Sequence, residues 1–500
     1  VGEAAITEWA RRTPDAPAVI SPTGNRTFAE LDARANQLAR ALRRRGLVPG
    51  DAVALMCSNR PEFVEVFAAC IRAGWRLTPV NWHLTGGEAA YVVDDCEARA
   101  LVLEAGIPAA VGLGESSSDL VARLAVGGAI EDFDAYEDAL AAEDSSELED
   151  TVEGGVMLYT SGTTGRPKGV HRVNPRLGTE NIAGYRPGDL HLCTGPLYHA
   201  APLGISLAPP LANGAGVVVM GAWDAEEALR LIDRHRITQT HMVPTMFHRL
   251  LALPAEVRER YDVSSLRLVV HGAAPCPVSV KQRIIEWFGP VVVEYYAATE
   301  GSGTLVDSAT WLARPGTVGR PADGHIIVGD EDANPLPAGE TGLVWLRMVP
   351  GSEFRYFKDD AKTEGAQRGD RFTLGDVGHL DEDGFLFLTD RDVNLIISGG
   401  VNIYPAEVDA VLLDHPAVAD AATIGVPDEE WGEQVKAVLE LHPGATGDDA
   451  LVAELIGFCR DRLAPFKCPR SVDFVDTLPR NDNGKIYKRL LRERYRADAG

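Results

Sequence analysis

Residues 159–170 read Tyr159-Thr160-Ser161-Gly162-Thr163-Thr164-Gly165-Arg166-Pro167-Lys168-Gly169-Val170. Three glycines, four Ser/Thr hydroxyls and two cations fall within twelve residues. Upstream, Val156-Met157-Leu158-Tyr159 reads as a short apolar strand. A strand that empties into such a loop predicts a phosphate cradle. Glycines let backbone N–H groups turn toward an anion, hydroxyls add donors, and Lys and Arg add charge. The pattern is not the Walker-type loop, which needs Lys followed by Ser or Thr and a helix. Here Gly169 follows Lys168, and Arg166-Pro167 interrupts the run.

Working outward, 500 residues predict more than one domain. The apolar share of 45% and the charged share of 24% are those of a globular protein. A net charge of −25 argues against nucleic acid and anionic lipid as general partners. Any anion site must therefore be a local pocket. Seven widely spaced cysteines with no CxxC pair predict reduced thiols packed as small apolar groups. The 12 histidines show no zinc pattern. No leader-like segment and no run of ~20 apolar residues is seen, so the expectation is a soluble, cytoplasmic protein without a membrane span.

Helical and strand periods alternate along the chain. Thr27-Phe28-Ala29-Glu30 is a capping box, followed by Leu31, Ala35, Leu38 and Leu42 at helical spacing. Residues 52–56 read as a strand, and a helix starts near Pro61 and stops at Gly74. Residues 105–150 are less regular and acid-rich, and predict a solvated excursion. Asp224 and Glu227 suggest another capping box, and strands are expected at 266–271 and 291–296. Residues 319–387 read as a small β-subdomain. After Asp390 a new β–α pattern begins, with Pro405 at a helix start, strands near 421–424, 435–441 and 472–475, and a helix at about 449–463. The predicted class is α/β: a large N-terminal domain of βαβ subdomains plus the small β-subdomain, residues 1–390, and a smaller mobile α+β C-terminal domain, residues 391–500. No further module is expected after Lys485.

Several polar residues lie in apolar context. His199 follows Pro196-Leu197-Tyr198, where a lone histidine is more often part of a core. Thr299 and Glu300 sit where the strand around Tyr295-Tyr296 opens into a Gly-rich turn at Gly301. Ligands in doubly wound sheets bind outside the carboxyl ends of strands, and a carboxylate there suits Mg²⁺, which takes one or two protein carboxylates plus phosphate oxygens. Asp376, in Gly375-Asp376-Val377-Gly378-His379, could accept from a ribose diol or be an ordinary turn residue. Lys485 ends a polar turn, where a lysine is normally a solvated charge.

The order of these segments is more telling than any one. Tyr-Thr-Ser-Gly-Thr-Thr-Gly-Arg-Pro-Lys-Gly at 159–169, Tyr-Tyr-Ala-Ala-Thr-Glu-Gly at 295–301, Gly-Asp-Val-Gly-His-Leu-Asp-Glu-Asp-Gly at 375–384, Ser-Gly-Gly-Val-Asn-Ile-Tyr-Pro-Ala-Glu-Val at 398–408 and Asn-Gly-Lys-Ile at 483–486 together resemble the adenylate-forming superfamily, most closely its acyl-CoA synthetases of the fatty-acyl-CoA ligase type. The resemblance covers nearly the whole chain. It implies a two-step reaction: a carboxylate attacks the α-phosphate of Mg-ATP to give acyl-AMP and pyrophosphate, then CoA displaces AMP.

Carried onto this chain, the resemblance implies that the loop Thr160, Ser161, Gly162, Thr163, Thr164, Gly165 and Lys168 holds the β- and γ-phosphates. Tyr296 stacks on adenine, Thr299 meets the α-phosphate, and Glu300 holds Mg²⁺. Asp376 takes the ribose hydroxyls with Arg391 beside it, and Lys485 bridges the two reactants of the first step. His199 lies next to the acyl carboxylate, and Gly272, Ala273, Ala274, Tyr295 and Gly301 form the acyl-pocket wall. Small residues there, with Gly303, suggest a roomy tunnel for a medium or long-chain, alicyclic or steroid-type acid. Gly399 and Gly400 let the backbone approach the CoA arm after the C-terminal domain rotates.

Two departures stand out. The hinge reads Asp390-Arg391-Asp392-Val393-Asn394, with a stiff β-branched residue where a polar one is usual, so either Asp392 or Val393 is the pivot. Ala297 stands where glycine is commoner. Residues 196–203 carry no acid, against an amino-acid-activating domain. A P-loop phosphotransferase lacks its Lys-Ser/Thr pair, and nothing but the odd hinge supports an inactive scaffold. A separate acyl carrier protein in place of CoA stays open as the acceptor, as does a homodimer.

Overall fold

The computed structural model describes residues 5–108, 113, 119–160, 167–172, 180–391, 394–398, 401–428, 431–480 and 486–497. Two parallel sheets form its centre. The first orders strands 302–307, 292–297, 268–271, 239–242, 190–193, 216–219, 17–21 and 24–27, parallel except at its two edge strands. The second orders 134–135, 122–126, 98–104, 52–56, 76–79 and 155–156, all parallel. Helices Phe28–Arg44 and Pro61–Ala73 join both sheets in one apolar core, in which Phe63 and Phe67 pack with Val53, Val102 and Val217.

Local sequence sets both helices. Thr27 and Glu30 exchange reciprocal capping bonds at the first. Pro61 stands in the first turn of the second, whose chain leaves through Gly74 in the left-handed region (φ 78°). Every residue of Pro61–Ala73 is buried, polar ones included. Its Glu65 carboxylate is offset by Arg26 at 2.7 Å, Arg34 at 2.6 Å and the Tyr136 hydroxyl at 2.8 Å.

Three expectations are corrected. The apolar run before the loop is not one strand: Gly155–Val156 pairs with Arg76 and Leu77 in the second parallel sheet, and Leu158–Thr160 belongs to a different sheet. The acid-rich stretch is no loose excursion. It contributes the buried strand Ala122–Val126, and its acids meet the Arg-rich helix, Glu137 with Arg34, Glu143 with Arg44, Asp134 with Arg45 and Asp150 with Arg43. Opposite charges on the two segments explain the docking, although each exposed pair is worth only ~1 kcal/mol or less. Asp224 caps its helix through Glu227 N, but Glu227 turns its carboxylate to Arg230 at 2.6 Å, so the reciprocal bond is not made.

An antiparallel sheet of strands 317–319, 386–391, 371–380, 342–347 and 326–329 follows, with the short strand 367–368 beside it. The last sheet comprises 401–403, 396–398, 432–441 and 418–428, with 471–474 parallel to 432–441. Helices Pro405–Leu413 and Asp449–Arg460 cover it.

Candidate functional site

The strands that flank the glycine- and threonine-rich loop, Leu158–Thr160 and Lys168–Arg172, pair antiparallel as the base of a β-hairpin. Thr160 pairs with Lys168, Tyr159 with Gly169 and Leu158 with Val170, and the return strand Lys168–Arg172 pairs on its other side with Phe354–Tyr356. Ser161, Gly162, Thr163, Thr164, Gly165 and Arg166 lie outside the described residues. The hairpin's base is pinned. Tyr159 donates to Asp95 at 2.6 Å, and burial together with that carboxylate pushes the phenol pKa well up, so it stays protonated. Tyr91 OH reaches Pro167 O at 3.4 Å. Lys168 pairs with Asp359 at 2.8 Å, which holds the ammonium above its ordinary pKa and the carboxyl below.

Arg172, at the end of the return strand, donates to the Thr299 carbonyl. This brings the hairpin to the strand–turn junction that carries Glu300. The Glu300 carboxylate is buried, and its Oε1 accepts from Tyr356 OH at 2.9 Å. Lys362 lies with its Nζ 4.1 Å from the Tyr356 ring centroid. Burial pulls the Arg172 and Lys362 pKa values down, while the Glu300 charge pulls each back up. A single hard carboxylate beside the hairpin fits the donor set of Mg²⁺, which takes one or two protein carboxylates together with phosphate oxygens and water. Among the described residues no cluster of three or more His, Cys, Asp or Glu side chains offers an all-protein metal cage.

Tyr296 and Asp376 come together from segments eighty residues apart: Tyr296 OH donates to Asp376 Oδ2 at 2.7 Å, and both are buried. Asp376 pairs in register with Arg391 across strands 371–380 and 386–391, which places the two expected ribose residues side by side on the sheet. Aromatic residue and acid thus meet at one rim, with the Arg391 backbone opposite Asp376 in register.

The expected acyl wall is narrower than its small residues suggest. A Cβ on Gly272 would stand 2.7 Å from Tyr295 Cε1, and one on Gly301 2.7 Å from Phe372 Cζ. These glycines, like Gly303 against Tyr296, admit aromatic rings rather than leave a void. The Tyr295 ring therefore lies over Gly272, and its hydroxyl bonds His241 Nε2 at 3.1 Å. Ala273 adopts φ 67°, a conformation disfavoured for alanine, beside that contact. Burial lowers the His241 pKa to about 4 and, with His241 nearby, that of His191 to about 3, so both imidazoles are neutral.

His199 packs its ring 4.4 Å from Tyr198 and accepts at its carbonyl from Leu203 N, just before a π-helical stretch, Pro202–Leu207. π-helical segments are frequent at functional sites. The segment is held by Asn59, whose amide donates to Gly195 O at 2.9 Å and Met220 O at 3.0 Å and whose Oδ1 accepts from Leu197 N at 2.9 Å.

The structure thus gathers Thr160 with Lys168, Thr299 with Glu300, Tyr296 with Asp376, and Gly272 with Tyr295. Gly399, Gly400, Lys485 and both hinge candidates, Asp392 and Val393, lie outside the described residues. Sequence reading did not find Arg172, Tyr356, Asp359, Lys362, His241 or Asn59. Only Arg172, two positions beyond Val170, sat close enough to a recognisable motif to be noticed.

The AMP-binding enzyme family model matches residues 6–349, and the AMP-binding enzyme C-terminal domain model matches residues 407–485. The chain belongs to the adenylate-forming superfamily. It is 35% identical to a 3-[(3aS,4S,7aS)-7a-methyl-1,5-dioxo-octahydro-1H-inden-4-yl]propanoyl:CoA ligase of Mycobacterium tuberculosis, over 98% of each chain. It is 33% identical to the fatty acid–[acyl-carrier-protein] ligase ScoC of Streptomyces coeruleorubidus, over 98% of this chain and 95% of that one. An anthranilate CoA ligase, AuaEII, solved with anthranoyl-AMP, superimposes with a TM-score of 0.89 at 27% identity, covering 99% of this chain and 98% of that one. As an adenylate-forming enzyme the chain is an AMP-forming acid–thiol ligase that binds ATP. Among the described residues no helix is long and apolar enough to cross a membrane.

Proposed function

We propose that this adenylate-forming enzyme is an acyl-CoA synthetase for a ring-bearing, alicyclic or steroid-type carboxylic acid. The observation that carries the nucleotide half is the 2.7 Å Tyr296–Asp376 bond, with Glu300 and the hairpin on adjoining segments. Tyr296 offers a ring face to adenine, while Asp376 and Arg391 take the ribose. The hairpin, through Thr160 and Lys168, takes the terminal phosphates. Magnesium would be held by Glu300 and supplies charge neutralisation between two anions. Carboxylate attack on the α-phosphate is then a matter of positioning, with Lys485 bridging the reactants. Residues 391–500 form the mobile unit, turning about Asp392 or Val393 to bring Gly399 and Gly400 toward CoA.

The ring-bearing acid is supported by the names of two proteins the chain resembles and by the aromatic rings that fill the spaces beside Gly272 and Gly301. Those rings favour a shaped pocket over an open tunnel for a long chain. His199 would face the acyl carboxylate. The likeness to ScoC supports a second acceptor, a carrier protein. Seven free cysteines suit a reducing, cytoplasmic setting.

The test is a panel of aliphatic, alicyclic and aromatic acids incubated with Mg-ATP and either CoA or a phosphopantetheinylated carrier protein, with AMP followed by chromatography. AMP release that requires CoA and a cyclic acid is expected. Turnover of acetate alone would sink the substrate assignment, and dependence on the carrier would replace the acceptor.

A further inference from the structure

The corner around Glu300 contains a cation with no assigned task. Lys168 is engaged by Asp359, and Arg172 by the Thr299 carbonyl. Lys362 is half-buried, and among the described residues its ammonium forms neither an ion pair nor a hydrogen bond. It rests on the face of Tyr356, whose hydroxyl is committed to Glu300 at 2.9 Å. The Asp359 carboxylate accepts from Lys362 N at 3.1 Å, so the residue that holds Lys168 also fixes where the Lys362 side chain starts. Three cations, Lys168, Arg172 and Lys362, thus surround two carboxylates, Asp359 and Glu300. The local excess of positive charge stands out in a chain of net charge −25. Partial burial works against a charged lysine, so a spare ammonium there is costly unless an anion visits.

From this placement we propose that Lys362 is a phosphate ligand of the adenylation step, a grip on the β- and γ-phosphates of ATP and then on the departing pyrophosphate. The inference rests on the hairpin being the polyphosphate cradle. With Glu300 engaged as the magnesium ligand, its pull on Lys362 would weaken, leaving the ammonium free to exchange the Tyr356 ring for a phosphate oxygen. Lys168 makes the parallel exchange from Asp359. The bond broken in the reaction lies between the α- and β-phosphates, and its electron pair leaves on the pyrophosphate oxygen. A cation on the departing side therefore stabilises the charge that grows during the step.

The experiment compares the full-length enzyme with Lys362→Met and Lys362→Arg. Titration calorimetry measures pyrophosphate and AMP binding separately, without acid substrate, and steady-state assays give KM for ATP. Lys362→Met is expected to weaken pyrophosphate and raise the ATP KM by about tenfold or more, the usual scale of a charge-assisted hydrogen bond. AMP, which lacks both distal phosphates, should bind as before, and Lys362→Arg should restore most of the loss. A Lys362→Met enzyme that binds pyrophosphate like wild type overturns the inference alone. Equal weakening of AMP and pyrophosphate also overturns it, since that marks a structural role at Tyr356. Wild-type enzyme that fails to bind pyrophosphate overturns the cradle itself.

Discussion

Removing one fully buried ammonium should unsettle the strand that carries Tyr295 and Tyr296. Lys281 has 0% exposure, and its Nζ lies 2.6 Å from Glu294 Oε2 and 4.5 Å from the Trp311 ring centroid. Glu294 belongs to strand Val292–Ala297, which continues into Tyr295 and Tyr296. His271 stands 3.8 Å from the same carboxylate, but burial, with Lys281 nearby, keeps its pKa well below ordinary, so it is neutral and cannot substitute. Burial also lowers the Lys281 pKa and raises that of Glu294, each partner opposing the shift. At an effective dielectric near 20 the attraction across a close pair is about 4 kcal/mol. Lys281→Met should therefore cost about 3–5 kcal/mol. The orphaned Glu294 carboxyl would then have a folded pKa raised further above its unfolded value. A raised pKa gives stability that is present at low pH and lost as pH rises, so the deficit should be larger at about pH 8.5 than at about pH 5.5. Lys281→Met/Glu294→Leu, with no charge left to bury, should recover most of the loss. Urea denaturation followed by tryptophan fluorescence at these two pH values measures all three proteins. A single variant within about 1 kcal/mol of wild type at both, or a double variant no better than the single, would refute the assignment of a buried, mutually dependent ion pair.

Tyr296→Phe removes the hydroxyl from Asp376 and should raise the ATP KM about tenfold; an unchanged KM in a pyrophosphate-release assay would contradict a shared ribose and adenine rim. Lys485→Ala should abolish acyl-AMP formation yet leave thioester formation from presupplied acyl-AMP largely intact, and equal loss of both halves would refute its role in the first half alone. Folded His241 titrates near pH 4 because of burial, below its ordinary value, so its neutral form is what folding favours. Stability should fall as pH drops from about 6.5 toward 4, and His241→Gln should flatten that slope by one proton, about 1.4 kcal/mol per pH unit, read from denaturation midpoints.

What could be read from the sequence was local. Thr27 and Glu30 meet within one helical turn, Pro61 and Gly74 act on their own backbone, and both were visible in a few residues. The pairing of Tyr296 with Asp376 could be guessed as a shared site only through the order of motifs, because eighty residues separate them. Arg172 reaches the Thr299 carbonyl and Tyr356 reaches Glu300 through a three-stranded sheet that joins residues 158–160, 168–172 and 354–356, and no spacing rule announces such a register. Gly272 and Gly301 were misleading for a physical reason: a missing Cβ marks room in one structure and a tightly seated ring in another, and sequence alone does not distinguish them.

That small sheet also links the strands flanking the loop to both parallel sheets. Tyr159 and Pro167 tie the hairpin's base to Asp95 and Tyr91 of the second parallel sheet's layer. Its return strand reaches Thr299 through Arg172, at the end of the first parallel sheet. Its partner strand presents Tyr356 to Glu300 and leads into helix Asp360–Ala366, which Asp359 caps and which carries Lys362. The two flanking strands are therefore anchored on three sides, to Asp95 and Tyr91, to the Thr299 carbonyl and to strand Phe354–Tyr356. Under the proposed function, a phosphate that drew Lys168 from Asp359 and a metal ion that drew Glu300 from Tyr356 would act on two residues three positions apart in one segment. The two events need not be independent. If that segment couples them, Tyr356→Phe, which cuts the Glu300 bond but keeps the ring beneath Lys362, should change how strongly magnesium improves pyrophosphate binding while leaving metal-free binding nearly as it was.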